Sequence, residues 1–237
     1  MKRWKFLRTG LKSENGKCKW KIGVWSKPIK DLEMCEKGYH CSEGINQAFA
    51  FVQGEILAEV KCMGSSIIQT DKEVWESMKI IKAYKWTQKD SVSLAIYAAG
   101  LVVGIFEKKC PKDNRPRKAI ESAKEWLKNP TKKNKDAAAY AADAAYAAAY
   151  AADAAADAAY AAAYAADAAY AAAYAAYAAA YAAYAAADPA YAAYAAAYAA
   201  DAAADAAHAA HAAYAADANF VKKIELWMKK RVSKLKE

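Results

Sequence analysis

The densest run of chemically capable residues is Cys35-Glu36-Lys37-Gly38-Tyr39-His40-Cys41. Two thiols and an imidazole within this run can supply three ligands to zinc, with Cys62 as a fourth, so Cys35, His40, Cys41 and Cys62 are the metal candidates. No second Cys-x-x-Cys half accompanies them, and the expectation is therefore that no metal is bound. An acid–base reading takes His40 as general base or substrate clamp, working with Glu55 or Glu59. It lacks support from any nucleophile elbow, phosphate loop or paired-carboxylate motif. The favoured reading is architectural: Gly38 permits a tight turn, and Tyr39 and His40 anchor it to a sheet through hydrogen bonds from their rings.

Two further groupings need the same weighing. Lys112-Asp113-Asn114-Arg115-Pro116-Arg117 sets two guanidinium groups beside an Asp at the start of a helix, which suits an anion or partner contact through Arg115 and Arg117. The structural alternative, which is preferred, has Asp113 or Asn114 capping the helix while the Arg side chains pair with Glu107, Glu121 or a more distant acidic stretch. Tyr39, His40, Arg115 and Arg117 are thus the candidate binding residues, with no catalytic residue assigned and no cofactor expected. His208 and His211 lie three apart, with Asp205 before them, a spacing that can hold a metal on a helix face. They sit in a repeat whose variable positions take only residues with codons of the form N-A-pyrimidine, so chance occupancy is the stronger account.

The elements that must position these groups differ sharply along the chain. Residues 1–88 read as a small α+β head. Cys18, Trp20, Ile22 and Val24 alternate with polar or small residues, as in a half-buried strand, and residues 55–62 and 78–84 give two more. Residues 42–52 suit a short helix over the sheet. Residues 89–130 form a two-helix connector: Leu94, Tyr97, Ala98, Leu101, Val102, Ile105 and Phe106 mark one apolar face, and Ile120, Ala123, Trp126 and Leu127 the other.

Residues 131–237 make a third region dominated by residues 136–217, which contain no Lys, Arg, Gly, Ser or Thr and consist almost wholly of Ala, Tyr and Asp. The Tyr and Asp positions recur every three or four residues, a helical period, and Ala has the highest helix propensity. Asp188-Pro189 is the one visible interruption and reads as a helix restart, with Asp capping and Pro in the first turn. The expectation is a long Ala-rich helical hairpin or rod, reversing or bending at residues 187–191 and closed by a basic amphipathic helix over residues 220–235. Docking of that helix onto the first domain through Phe220, Ile224 and Trp227 is preferred to its lying on an anionic membrane.

Charge follows the same division. Residues 1–135 hold 28 of the 35 basic and 15 of the 26 acidic residues, residues 136–217 hold nine Asp and no base, and residues 218–237 hold seven basic residues against two Glu. An acidic tract between basic ends weakens the inference from net charge +9 to nucleic acid, which is not favoured as a partner. Met1-Lys2-Arg3-Trp4-Lys5 is not followed by an apolar signal core, the Asp residues exclude a bilayer span by the Ala tract, and five Cys fit free thiols in a reducing compartment. A cytoplasmic protein is expected, in the host cell's cytoplasm if a phage encodes it.

Two motifs carry a resemblance. Cys35-Glu36-Lys37-Gly38-Tyr39-His40, followed by Leu57-Ala58-Glu59-Val60-Lys61-Cys62-Met63-Gly64, resembles an uncharacterised domain of phage and bacterial proteins with a C-x-x-G-[FY]-H turn and a later strand. The stretch from Ile105-Phe106-Glu107 through Arg115-Pro116-Arg117-Lys118-Ala119-Ile120-Glu121 is similar to the core of Ala-rich proteins regarded as immunity proteins of bacterial toxin systems. Those relatives often carry Arg and Trp at the repeat positions where this chain has Tyr and Asp. The resemblance implies a phage or bacterial source and a non-enzymatic protein that binds a protein partner stoichiometrically, immunity-like or counter-defence. Two other readings stand beside it: a nucleotide-binding or enzymatic head around His40, and a structural rod that self-associates through its Ala-rich helices.

Overall fold

A computed structural model describes residues 2–13, 18–45, 47–49, 54–158, 163–188, 192–209 and 213–235. The chain divides into two compact units, Met1–Thr87 with Met228–Glu237, and Gln88–Trp227.

The first unit is built on a four-stranded antiparallel sheet of β1 (Arg3–Leu7), β2 (Tyr39–Cys41), β3 (Ile56–Ile68) and β4 (Glu73–Lys85), in the order β1-β3-β4-β2. Val60, Ile67, Ile68, Val74, Trp75, Ile80 and Ile81 give β3 and β4 the β-branched and aromatic character that suits a pleated surface. Their ladder shifts register between Glu59 and Val60 and again between Met63 and Ser66, where Gly64 takes φ +90°. Side chains alternate across a strand, and both faces of β1 are covered. Leu7 belongs to a core with Trp20, Cys41, Ala58, Val60, Met78 and Ile80, while Phe6 meets the Phe49 ring at 4.4 Å and Phe49 meets Trp86 at 4.8 Å.

The strand expected around residues 17–24 does not form. Gly23 turns the chain at φ +81°, Ile22 and Val24 are exposed, and residues 23–29 follow the edge of β4 through single bonds: Gly23 N–H to the Ile80 carbonyl at 2.8 Å, Ser26 to Met78 at 2.9 Å and Ile29 to Glu76 at 2.9 Å. Trp20 is the one residue of that alternation that is buried outright. In place of a helix over residues 42–52 there is a single 3-10 turn, Gln47–Phe49; Asn46 and residues 50–53 lie outside the described residues.

The second unit is helical: α1 (Gln88–Lys109), α2 (Arg115–Lys128), α3 (Lys132–Ala158), α4 (Ala163–Ala187), α5 (Ala192–Ala209) and the larger part of α6 (Ala213–Val232). α1 is long and apolar enough to cross a membrane by length and composition; ten of its residues, among them Leu94, Ala98, Val102 and Phe106, are buried. Trp227 of α6 stacks on Tyr97 of α1 at 5.7 Å; Phe220 lies outside the residues whose side chains are described.

The Ala tract before Asp188 is not one long helix: its described residues form α3 and α4, and α5 and α6 follow from Ala192 on. α3 and α4 run antiparallel: Tyr184 donates to Asp143 Oδ1 at 2.6 Å, Tyr146 meets Tyr181 at 6.4 Å and Tyr150 meets Tyr177 at 6.0 Å, a constant register along the pair. α4 also packs on α1, α2 and α5, and Tyr181 meets Tyr198 of α5 at 5.3 Å. Ala119, Ala142, Ala145, Ala180 and Ala183, all fully buried, form one cluster from α2, α3 and α4. A continuous helix would leave these methyl faces in water; folding back buries them and brings backbones close enough for dispersion to compensate for the small side chains. The bend or reversal expected at residues 187–191 falls mostly on residues 189–191, which lie outside the described residues; α4 ends with Asp188 N–H bonded to the Tyr184 carbonyl at 3.0 Å.

Candidate functional site

In the first unit the Cys35–Cys41 run closes one wall of a cleft of about 720 Å³. Glu33 and Lys37 exchange both backbone hydrogen bonds at 2.9 Å, which places Cys35 at the tip of the turn with φ +69°, a left-handed conformation a side chain adopts reluctantly. Holding it there is His40: its Nε2 accepts the Cys35 backbone N–H at 2.8 Å, and the other ring nitrogen donates to the Gly38 backbone. Burial, with the charges of Lys5 and Lys72, pushes the His40 pKa below its ordinary value, so the ring is neutral at pH 7. Gly38, at φ +124°, abuts Val74 and Leu32 so closely that a Cβ would collide with both. Tyr39 donates its hydroxyl to the Lys27 carbonyl at 2.9 Å and sets its ring edge-on to Trp20 at 5.3 Å.

The cleft has a cation that the sequence motif does not announce. Lys5, on the face of β1 that also carries Leu7, sends its ammonium to the His40 carbonyl at 2.6 Å and lies 5.8 Å from the Trp20 ring centre. Removal from water pushes its pKa down, while the groups facing it are three thiols, Cys41, Cys18 and Cys62. Cys41 Sγ and Cys62 Sγ are 3.6 Å apart, and that contact together with burial holds the Cys41 thiol far above the usual range. The four metal candidates do not converge: Cys35 is exposed at its turn, His40 spends its nitrogens on backbone, and only Cys41 and Cys62 touch. Among the described residues no three His, Cys, Asp or Glu side chains are grouped to hold a metal ion.

Arg115 and Arg117 belong to the other compact unit. Arg115 clasps Asp113, Nε to Oδ1 at 3.0 Å and Nη2 to Oδ2 at 2.6 Å, and its backbone N–H also bonds Asp113 Oδ1 at 3.0 Å. Arg117 forms the same two-pronged pair with Glu107, at 2.7 and 2.6 Å. The guanidinium beside each carboxylate holds Asp113 and Glu107 below the usual carboxylate range. Both Arg side chains remain about two-fifths exposed, so a partner can still reach them. His211 lies outside the described residues, as does the side chain of His208.

Sequence reasoning overlooked Lys5, Trp4, Trp20 and Lys72 as cleft residues. The available signal was a lone Lys set between Trp4 and Phe6 in a run of bulky residues, where a solvated position is expected to alternate with polar neighbours. No family model, curated protein or solved structure matches this chain.

Proposed function

We propose that this is a non-enzymatic, intracellular binding protein of phage or bacterial origin, immunity-like or counter-defence in role, that captures a protein partner in fixed stoichiometry. The observation that carries this reading is the edge of β3. β1 pairs only with Ile56–Val60, so among the described residues no strand covers the outer edge of β3 over residues 61–68. That stretch exposes Met63, Ile67 and Ile68, at 51%, 38% and 60% of their surface. An unpaired edge with apolar side chains offers main-chain hydrogen bonds for affinity and alternating side chains for selectivity, the requirements for adding a partner's strand. The resemblance of residues 35–64 and 105–121 to phage and immunity-like proteins points the same way, and the spent ring nitrogens of His40 favour binding over acid–base work.

The test is affinity purification of the tagged full-length chain from a bacterial host, beside a variant carrying Met63→Lys and Ile68→Lys. The expected result is one protein recovered near one-to-one with the native chain and absent with the variant, whose melting temperature stays within a few degrees. Equal recovery by both chains would remove the β3 edge as the recognition element. Light scattering of the same samples separates partner capture from self-association.

A further inference from the structure

Beyond partner capture, the head cleft has an electrostatic deficit of its own. An ammonium has three donors. For Lys5 the described residues supply one acceptor, the His40 carbonyl, and one ring face, that of Trp20. Among the described residues, the ionisable groups that act on it are the thiols Cys41, Cys18 and Cys62, and the carboxylate that lines the cleft, Glu36, is not one of them. Lys5 is half-buried, and a cation drawn partly out of water is ordinarily met by a counter-charge. Lys5 also lines the cleft, with a second cation, Lys72, and with Trp20 and Tyr39, whose rings meet edge-on at 5.3 Å. A volume of about 720 Å³ suits a small organic ligand.

We propose that the cleft binds a small organic oxyanion, a carboxylate or phosphate ester on a flat apolar body. Its oxygens take the two spare Lys5 donors and its body lies against Trp20 and Tyr39. The site is separate from the β3 edge and stands or falls independently of partner capture.

The full-length chain is titrated with phenyl phosphate and with benzoate, following tryptophan fluorescence and heat. Phenol serves as the uncharged control and inorganic phosphate as the anion without a body. Saturable one-to-one binding is expected for at least one of the two ring-bearing anions, with each control at least about tenfold weaker, the factor lost with one charge-assisted hydrogen bond. Lys5→Met should weaken the anion by about 10- to 100-fold for the same reason and leave phenol unchanged, while Lys5→Arg retains anion preference. Should Lys5→Met fail to fold, the native chain answers instead: a saturating anion should protect Lys5 from acetic anhydride, read by peptide mass spectrometry. No saturable binding of either anion, equal affinity in native and Lys5→Met chains, or unchanged Lys5 acetylation would overturn the proposal.

Discussion

The two compact units reach a packed interior by opposite means. In the head a few large side chains do most of the filling, among them Trp20, Phe6, Leu7, Met78 and Ile80, and one ion pair is taken inside with them. In the helical unit many methyl groups share the task, and rings such as Tyr146, with Tyr177 and Tyr181, lie along the seam between α3 and α4. The head should therefore fail when a group is removed, and the Ala helices when one is added.

The largest effect is expected at Arg3–Glu73. Arg3 Nε reaches both Glu73 oxygens, at 2.8 and 2.7 Å, Trp75 Nε1 donates to the same carboxylate at 2.7 Å, and the two charged side chains are only 10% and 3% exposed. Glu73→Ala should cost about 3 to 5 kcal/mol, mostly because Arg3 is left buried with only the exposed Glu43, at 3.7 Å, to face it. Hydrogen exchange of the β3 and β4 amides measures this directly. Replacing both residues by apolar ones, Arg3→Met with Glu73→Leu, should recover much of the loss; if Glu73→Ala alone costs under about 1 kcal/mol, the head does not depend on this pair.

Next in size is the contrast in packing itself. Met78 is fully buried, and Met78→Ala should cost about 2 to 5 kcal/mol by leaving a cavity. In the cluster around Ala145 and Ala183 the damaging change is enlargement: Ala183→Leu should cost about 1 to 3 kcal/mol through forced separation of α3 and α4. Ala183→Gly should cost only about 1 kcal/mol, the helix-propensity difference. Denaturant unfolding of each variant checks the order. An Ala183→Leu chain as stable as the native one would mean the Ala faces are not in close contact.

What could be read from the sequence follows the same division. β3 and β4 showed themselves through β-branched alternation, and α1 and α2 through apolar residues three and four apart. The bend before β2 was readable in part: Gly38 takes a positive φ and the Tyr39 and His40 side chains bond backbone, but the tip falls at Cys35 within Glu33–Lys37 and Tyr39–Cys41 is strand. β1 was missed because both its faces are covered, which erases alternation. That α3 and α4 run antiparallel was illegible for a different reason: the sequence joining them has no Gly or Pro, and a repeat of Ala with Tyr or Asp marks no position as a turn. Lys5 escaped notice because the unpaired state of a charge is a property of its neighbours, not of its own position in a strand.

A smaller effect sharpens the reading of the turn. His40→Ala removes the acceptor for a Cys35 N–H held at a left-handed φ and should lower head stability by about 1 to 2 kcal/mol. A drop confined to exchange protection of the turn and β2 fits an anchoring role. An unchanged melt accompanied by loss of a measurable turnover would return His40 to the catalytic candidates.

The smallest effect belongs to the helical unit's best surface pair, and pH isolates it. Arg117 keeps the Glu107 pKa depressed in the folded chain, so the unfolded chain binds this proton more readily. The pair's contribution is therefore complete above the ordinary glutamate value of about 4.3 and is lost as pH falls through the lower folded value. Glu107→Gln should be less stable than the native chain at pH 7 by at most about 1 kcal/mol, since the side chains are 40% and 37% exposed and solvent screens them. The deficit should shrink at acid pH as the depressed folded value is crossed, because the native Glu107 then becomes neutral as well. Comparing the two chains at both pH values cancels the titration of every other carboxylate, and repeating the pH 7 pair in high salt should narrow the gap in the same direction. A deficit of equal size at both pH values would assign the effect to side-chain shape and packing, placing this corner of the helical unit with the head, where the loss of a group is felt whatever its charge.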